Sequence, residues 1–140
     1  MRPPTSIKGG ENNNTLFLFG GLPWNQNETM NLLYTFDTWS MPQTAGGLVN
    51  EKYGATGIVD YNGKMYIFDG HTVKNEPIDM LILDTMNLNW GKGSLVNAPT
   101  PRSFYGATLL PNQHIIYLGK EIILILYYIC ILSTYLSLFS

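Results

Sequence analysis

Two histidines, one cysteine and ten carboxylates are the side chains through which this 140-residue chain could do acid–base, nucleophilic or metal chemistry. His71 and His114 are the candidate bases. No Ser-His-Asp or Cys-His arrangement has a spacing that singles out a nucleophile, so each histidine reads as an ordinary surface or strand residue. Asp60, Asp69, Asp79 and Asp84 fall at the ends of different apolar runs, without the clustering a metal site needs. Cys130 stands alone, which leaves neither an intrachain disulfide nor a CxxC site. Gly46-Gly47 and Gly91-Lys92-Gly93 are too sparse for a phosphate loop and open no strand-to-helix pattern. The expectation is a chain with no catalytic residue, no metal ligand and no cofactor.

Composition bounds the partners. Apolar residues make up 45% of the chain and charged residues 13%, about half the usual charged share of about 25%. There is material for a core, under a lightly charged surface. A net charge of -2 with eight basic residues gives no electrostatic footprint for nucleic acid. The opening MRPPTSIKGG carries no apolar stretch of the kind a signal peptide has. Asn13 and Asn27 stand in glycosylation sequons, but 13 asparagines beside 19 serines and threonines make roughly two sequons the chance expectation. They carry no weight.

What must position any site is a repeat. LFLFGG (residues 16–21), MYIFDG (65–70) and IIYLGK (115–120) are three short apolar strands spaced 49 and 50 residues apart. Trp39 returns as Trp90 after 51 residues. Tyr53-Gly54-Ala55-Thr56 returns as Tyr105-Gly106-Ala107-Thr108 after 52. Asp37 closes LLYTFD as Asp84 closes MLILD, which makes both look like turn-capping residues and not an acid/base pair. A period of about 50 residues is the mark of a repeat architecture. Within the second repeat, YGATGIVD leads through Asn62-Gly63 into MYIF, and Asn-Gly between apolar runs predicts a type I′ hairpin. MLILD and a strand around Trp90 complete four antiparallel strands. The first repeat supplies its second, third and fourth strands at residues 15–19, 32–37 and 38–41, with a distorted first strand before them. The third supplies only its first two.

Four strands with glycine after the second and tryptophan in the fourth resemble the kelch repeat, one blade of a β-propeller. The resemblance covers roughly residues 6–120. It rests on Gly20-Gly21, on Tyr34 and Asp37 before Trp39, on Asp69-Gly70 and Trp90, and on Pro101-Arg102 ahead of Tyr105-Gly106, with Gly119 closing the third strand. Asp69 and Lys120 depart from the paired glycines. The resemblance implies an all-β, partial propeller of two to two-and-a-half blades: repeat one at 6–52, repeat two at 53–101, a truncated repeat three at 102–120. Such an arc does not close, and the propeller would be completed by other chains or by a longer gene product. The fold is also similar to the central domain of copper-radical oxidases such as galactose oxidase. Those enzymes need a tyrosine cross-linked to a cysteine, and Cys130 lies in the apolar tail, so the likeness is to the scaffold alone.

Residues 121–140 form that tail. Residues 122–139 hold no charge, a length at the short end for a transmembrane helix. Three readings stand: a tail anchor, a non-native ending, and a buried strand or helix over the open arc. Localisation is left open between membrane and cytoplasm. In a propeller the connections after strands two and four share one face, which brings residues 22–31, 71–79, 42–52 and 91–102 together. Trp24, Asn25, His71, Lys74, Glu76 and Arg102 are the candidate partner contacts there. Trp24 either anchors a partner or folds back on its own blade, and Arg102 either contacts a ligand or ties a loop through carbonyl hydrogen bonds. The function expected is a non-catalytic protein-interaction module. The alternatives are a degenerate oxidase-like or carbohydrate-binding domain, and a truncated product without a function of its own.

Overall fold

The computed structural model describes residues 4–11, 14–21, 33–36, 40–47, 52–72 and 78–119. Among them every regular element is a strand. In chain order these are β1 (Thr5–Gly9), β2 (Thr15–Phe19), β3 (Leu33–Thr35), β4 (Ala45–Gly46), β5 (Lys52–Tyr53) and β6 (Gly57–Val59). There follow β7 (Lys64–Phe68), β8 (His71–Thr72), β9 (Met80–Asp84), β10 (Asn89–Lys92), β11 (Gly106–Leu109) and β12 (Ile115–Leu118). The described part of the chain is all-β. Residues 122–139 lie outside the described residues, as do Asp37, Trp39 and Lys120; among the described residues no helix is long and apolar enough to cross a membrane.

The strands form three main sheets and a small ribbon. β1-β2-β3 is antiparallel throughout. The central sheet runs β6-β7-β9-β10 with every neighbour antiparallel, as the second repeat predicts. Its far edge carries an addition that sequence reading missed: β4 pairs in parallel with β10, through Asn89↔Ala45 and Trp90↔Gly46. β11-β12 is an antiparallel hairpin, and β5-β8 is the ribbon.

The Asn62-Gly63 turn is not type I′. Only Gly63 takes a positive φ, of 75°, while Asn62 does not. Asp60 and Lys64 close a three-residue loop, Asp60 N donating to Lys64 O at 2.9 Å, and Gly63 N donates back to Asp60 O at 3.1 Å. That is a type I turn ending in a left-handed residue, the three-residue hairpin. Asp60 selects it: its Oδ1 accepts from Asn62 N and Lys64 N, each at 2.9 Å, and its Oδ2 accepts from the Tyr66 hydroxyl at 3.0 Å. The third sheet builds the same turn. Leu110 N donates to His114 O at 2.8 Å, and Gln113 takes the positive φ, of 64°.

Those turns correct the repeat register. Val59 pairs with Met65 and Leu109 with Ile115, so the second and third sheets are equivalent at an offset of 50. Tyr53-Gly54 and Tyr105-Gly106, matched at 52, are out of step. At 50 it is Gly54, φ 68°, that corresponds to Phe104, φ 54°. The local YGAT likeness misled because it is four residues of small and aromatic types, whereas strand pairing is fixed by which residues face the core.

The three sheets stack face to face. From β7, Met65 and Ile67 point to one side, where with Leu81, Leu83 and Trp90 they pack on Phe17, Phe19 and Leu33 of the first sheet. Tyr66 and Phe68 point to the other, packing with Met80 against Tyr105, Ile115 and Tyr117 of the third. A strand buried on both faces reads as the near-continuous apolar run MYIF. Trp90 lies against Phe19 with ring centroids 5.2 Å apart, tilted at 51°, and Phe68 meets Tyr117 at 5.5 Å and 47°. The first strands of the sheets adjoin: Gly57 N of β6 donates to the Thr5 hydroxyl of β1 at 2.8 Å. Thr56, just before β6, donates its hydroxyl to Tyr105 O beside β11.

Candidate functional site

The ends of β2 and β7 converge on the segments that open the following sheet. Gly20 and Gly21 close β2 with φ of 71° and 91°, and Gly21 N donates to Lys52 O at 2.8 Å. A Cβ on Gly20 would sit 2.1 Å from that carbonyl oxygen, so glycine is required on both steric and conformational grounds. One sheet on, Asp69 and Gly70 close β7 with φ of 49° and 98°, and Gly70 N donates to Arg102 O at 3.2 Å.

Asp69 explains why this pair departs from glycine. Its buried Oδ2 accepts the Arg102 backbone N–H at 2.6 Å, a second tie that a glycine could not make. Burial holds the Asp69 carboxyl above the ordinary carboxylate range; the Arg102 N–H and the Lys52 charge oppose that shift, and Asp79 adds to it. Lys52 is buried to 2% exposure and forms an ion pair with Asp79, Nζ to Oδ1 at 2.6 Å. A buried lysine is accommodated only with such a partner. The ties of Gly21 to Lys52 and of Asp69 and Gly70 to Arg102 fasten the segments that open the second and third sheets to the ends of β2 and β7.

Beside them lies an aromatic group drawn from three segments. Tyr53 stacks on His71, centroids 5.2 Å apart and planes at 30°. Phe104 also meets His71, with centroids 6.0 Å apart and planes at 55°. Phe104 is 63% exposed although bulky, and it holds a left-handed backbone secured by its N–H on Gly54 O at 2.6 Å. The equivalent position one sheet earlier is Gly54, so an aromatic stands where the backbone favours glycine. The Ser103 hydroxyl and His71 Nε2 share a hydrogen bond of 2.8 Å.

Of the six expected partner contacts, Trp24, Asn25, Lys74 and Glu76 lie outside the described residues. His71 stands in the aromatic group. Arg102 is buried, and its guanidinium turns back to donate from Nε to Thr100 O and from Nη2 to Thr100 Oγ1, both at 3.1 Å. It ties its own loop and offers no charge to solvent. Tyr53, Ser103 and Phe104 stand beside His71 without having been singled out in the sequence as candidates, and the 52-residue alignment conceals that Phe104 replaces a left-handed glycine.

The chemistry available is limited. Ser103 and His71 have the spacing of a nucleophile and base, but no carboxylate orients the imidazole among the described residues. His114 sits in the β11–β12 turn at the opposite end of the stack, where the Asn112 side chain bonds its Nδ1 at 3.1 Å and its backbone N–H at 3.2 Å. Asp84 caps the β9–β10 turn, accepting from Met86 N at 2.9 Å, Asn87 N at 3.0 Å and Asn87 Nδ2 at 2.9 Å. The Asn87 amide is the main cause of its lowered pKa. Among the described residues no three His, Cys, Asp or Glu side chains gather as a metal would require. No family model matches the chain, and no curated protein matches it.

Proposed function

We propose that this chain is part of a kelch-type β-propeller and serves as a non-catalytic protein-interaction surface through the strand-end face that carries Tyr53, His71 and Phe104. The observation that carries this reading is Phe104, a large side chain held exposed on a left-handed backbone and backed by two further rings. Exposed aromatics of this kind are what protein contacts are built around. Backbone strain at a surface aromatic is retained where it presents a side chain. Support for the propeller reading comes from the repeat at an offset of 50 and from the face-to-face stacking of the sheets.

The test is a photo-crosslinking residue, benzoylphenylalanine, placed at Phe104 and, for comparison, at Tyr61 in the β6–β7 turn at the opposite end. In an extract from the native source, discrete protein adducts from position 104 and none from 61 are expected. Equal adducts from both positions, or none from 104, would contradict the reading.

One observation favours a second reading, the Ser103–His71 hydrogen bond. If that pair performs acyl transfer, a fluorophosphonate would label Ser103 and the labelling would be lost in His71→Ala. The interaction reading expects no labelling.

A further inference from the structure

We propose that a second copy of this chain docks head to tail on the first, the outer face of β12 seating the outer face of β2. The molecule's own sheet-to-sheet contact supplies the template. Each inner interface joins two kinds of face. Phe17 and Phe19 of β2 meet Met65 and Ile67 of β7. Tyr66 and Phe68 of β7 meet Ile115 and Tyr117 of β12. By strand equivalence Phe17 and Phe19 occupy the positions of Tyr66 and Phe68, and Met65 and Ile67 those of Ile115 and Tyr117.

Among the described residues two faces are left over, and they are one of each kind. On β12 the remaining side is Ile116 and Leu118, with Leu118 48% exposed, at the positions of Tyr66 and Phe68. On β2 it is Leu16 and Leu18, both part-exposed, at the positions of Met65 and Ile67. Their strand partners match the pattern, since Thr108 pairs with Ile116 and Tyr34 with Leu18. A face of the first kind docks on a face of the second everywhere else in this fold. The contact is heterologous, so it either closes or propagates. Among the described residues each copy holds three main sheets, the third of two strands only, so a pair brings six sheets together, within the range of about four to eight that closed propellers use. The dimer we propose is the closed form of this contact, and it rests on the propeller reading.

The experiment measures the mass of the full chain by light scattering or sedimentation, for the wild type, for Leu118→Lys and for Leu16→Lys/Leu18→Lys. The wild type is expected as a dimer of twice 15.7 kDa, and each variant as a monomer. Mixed 1:1, the two variants should recover a dimer, because one intact face of each kind remains between them. Thr108→Glu, exposed on the same side of the third sheet, weakens the dimer without touching a core residue; circular dichroism verifies the fold of every variant. A monomeric wild type would overturn the proposal. So would one variant staying dimeric, which would mean like faces pairing, or a failure of the mixture to reassociate; growth beyond the dimer would contradict closure, and with it the propeller reading, while the head-to-tail contact stood. The crosslinking test at Phe104 does not depend on this outcome.

Discussion

Tyr105 and Tyr117 are both buried, their rings 5.5 Å apart and nearly perpendicular, yet their hydroxyls meet different fates. Tyr105 donates to Phe68 O at the end of β7, with Thr56 O also within 3.4 Å. Among the described residues the Tyr117 hydroxyl has no hydrogen-bond partner. Removing a hydroxyl that serves a buried carbonyl costs about 1–2 kcal/mol, whereas removing an unpaired one is neutral or favourable. Tyr105→Phe should lower the urea midpoint, and Tyr117→Phe should leave it unchanged or raise it. Asp69 allows a second test. Because burial raises its folded-state pKa, the folded chain holds that proton more tightly than the unfolded chain. The penalty for ionising it is absent below the ordinary carboxylate range and appears as pH rises through the folded value. Asp69→Asn retains an acceptor for the Arg102 N–H, so its melting temperature should exceed that of the wild type at pH 7. The difference should vanish by about pH 3, below the usual aspartate value. Asp69→Gly should destabilise: relief of the left-handed backbone gains about 1 kcal/mol, while the orphaned Arg102 N–H costs about 1–3 kcal/mol.

At the scale of elements, the closing glycines and the tryptophan set how strands meet. Gly20→Ala forces a methyl against Lys52 O and should cost about 3 kcal/mol or more, since strain and overpacking add. Trp90→Ala should cost about 3–5 kcal/mol as a large buried aromatic, with both losses read by chemical denaturation. The strands themselves were legible in the sequence. MYIF and MLILD have the β-branched and aromatic content, and the turn residues between them, that strands require. The four-strand order of the central sheet follows from their succession. The type of turn at Asn62-Gly63 did not follow, because the Asp60 carboxylate outweighs the Asn-Gly preference. β4 could not be foreseen: two exposed residues, Ala45 and Gly46, bear no strand signal, and the pairing is decided by the edge that β10 presents. The candidate site was half legible. That the segment after β7 meets the segments between repeats could be read from strand alternation, as His71 beside Tyr53 and Ser103 shows. That Arg102 is buried and Phe104 exposed inverts what charge and hydropathy suggest; the local bonds of Arg102 to Thr100 and the long-range tie of Phe104 to Gly54 explain it.

The whole molecule is organised by three sheets stacked through alternate faces of single strands. The proposed partner face and the proposed head-to-tail contact both depend on it, since the first gathers at strand ends and the second copies the stacking. Nuclear Overhauser contacts between aromatic rings in solution test that stacking most directly. Contacts are expected from the Trp90 indole to the Phe19 ring, and from the Phe68 ring to Tyr117, joining residues far apart in the chain. Trp90 contacts confined to β9 and β10, or sequential amide contacts of helical type between residues 53 and 90, would contradict it.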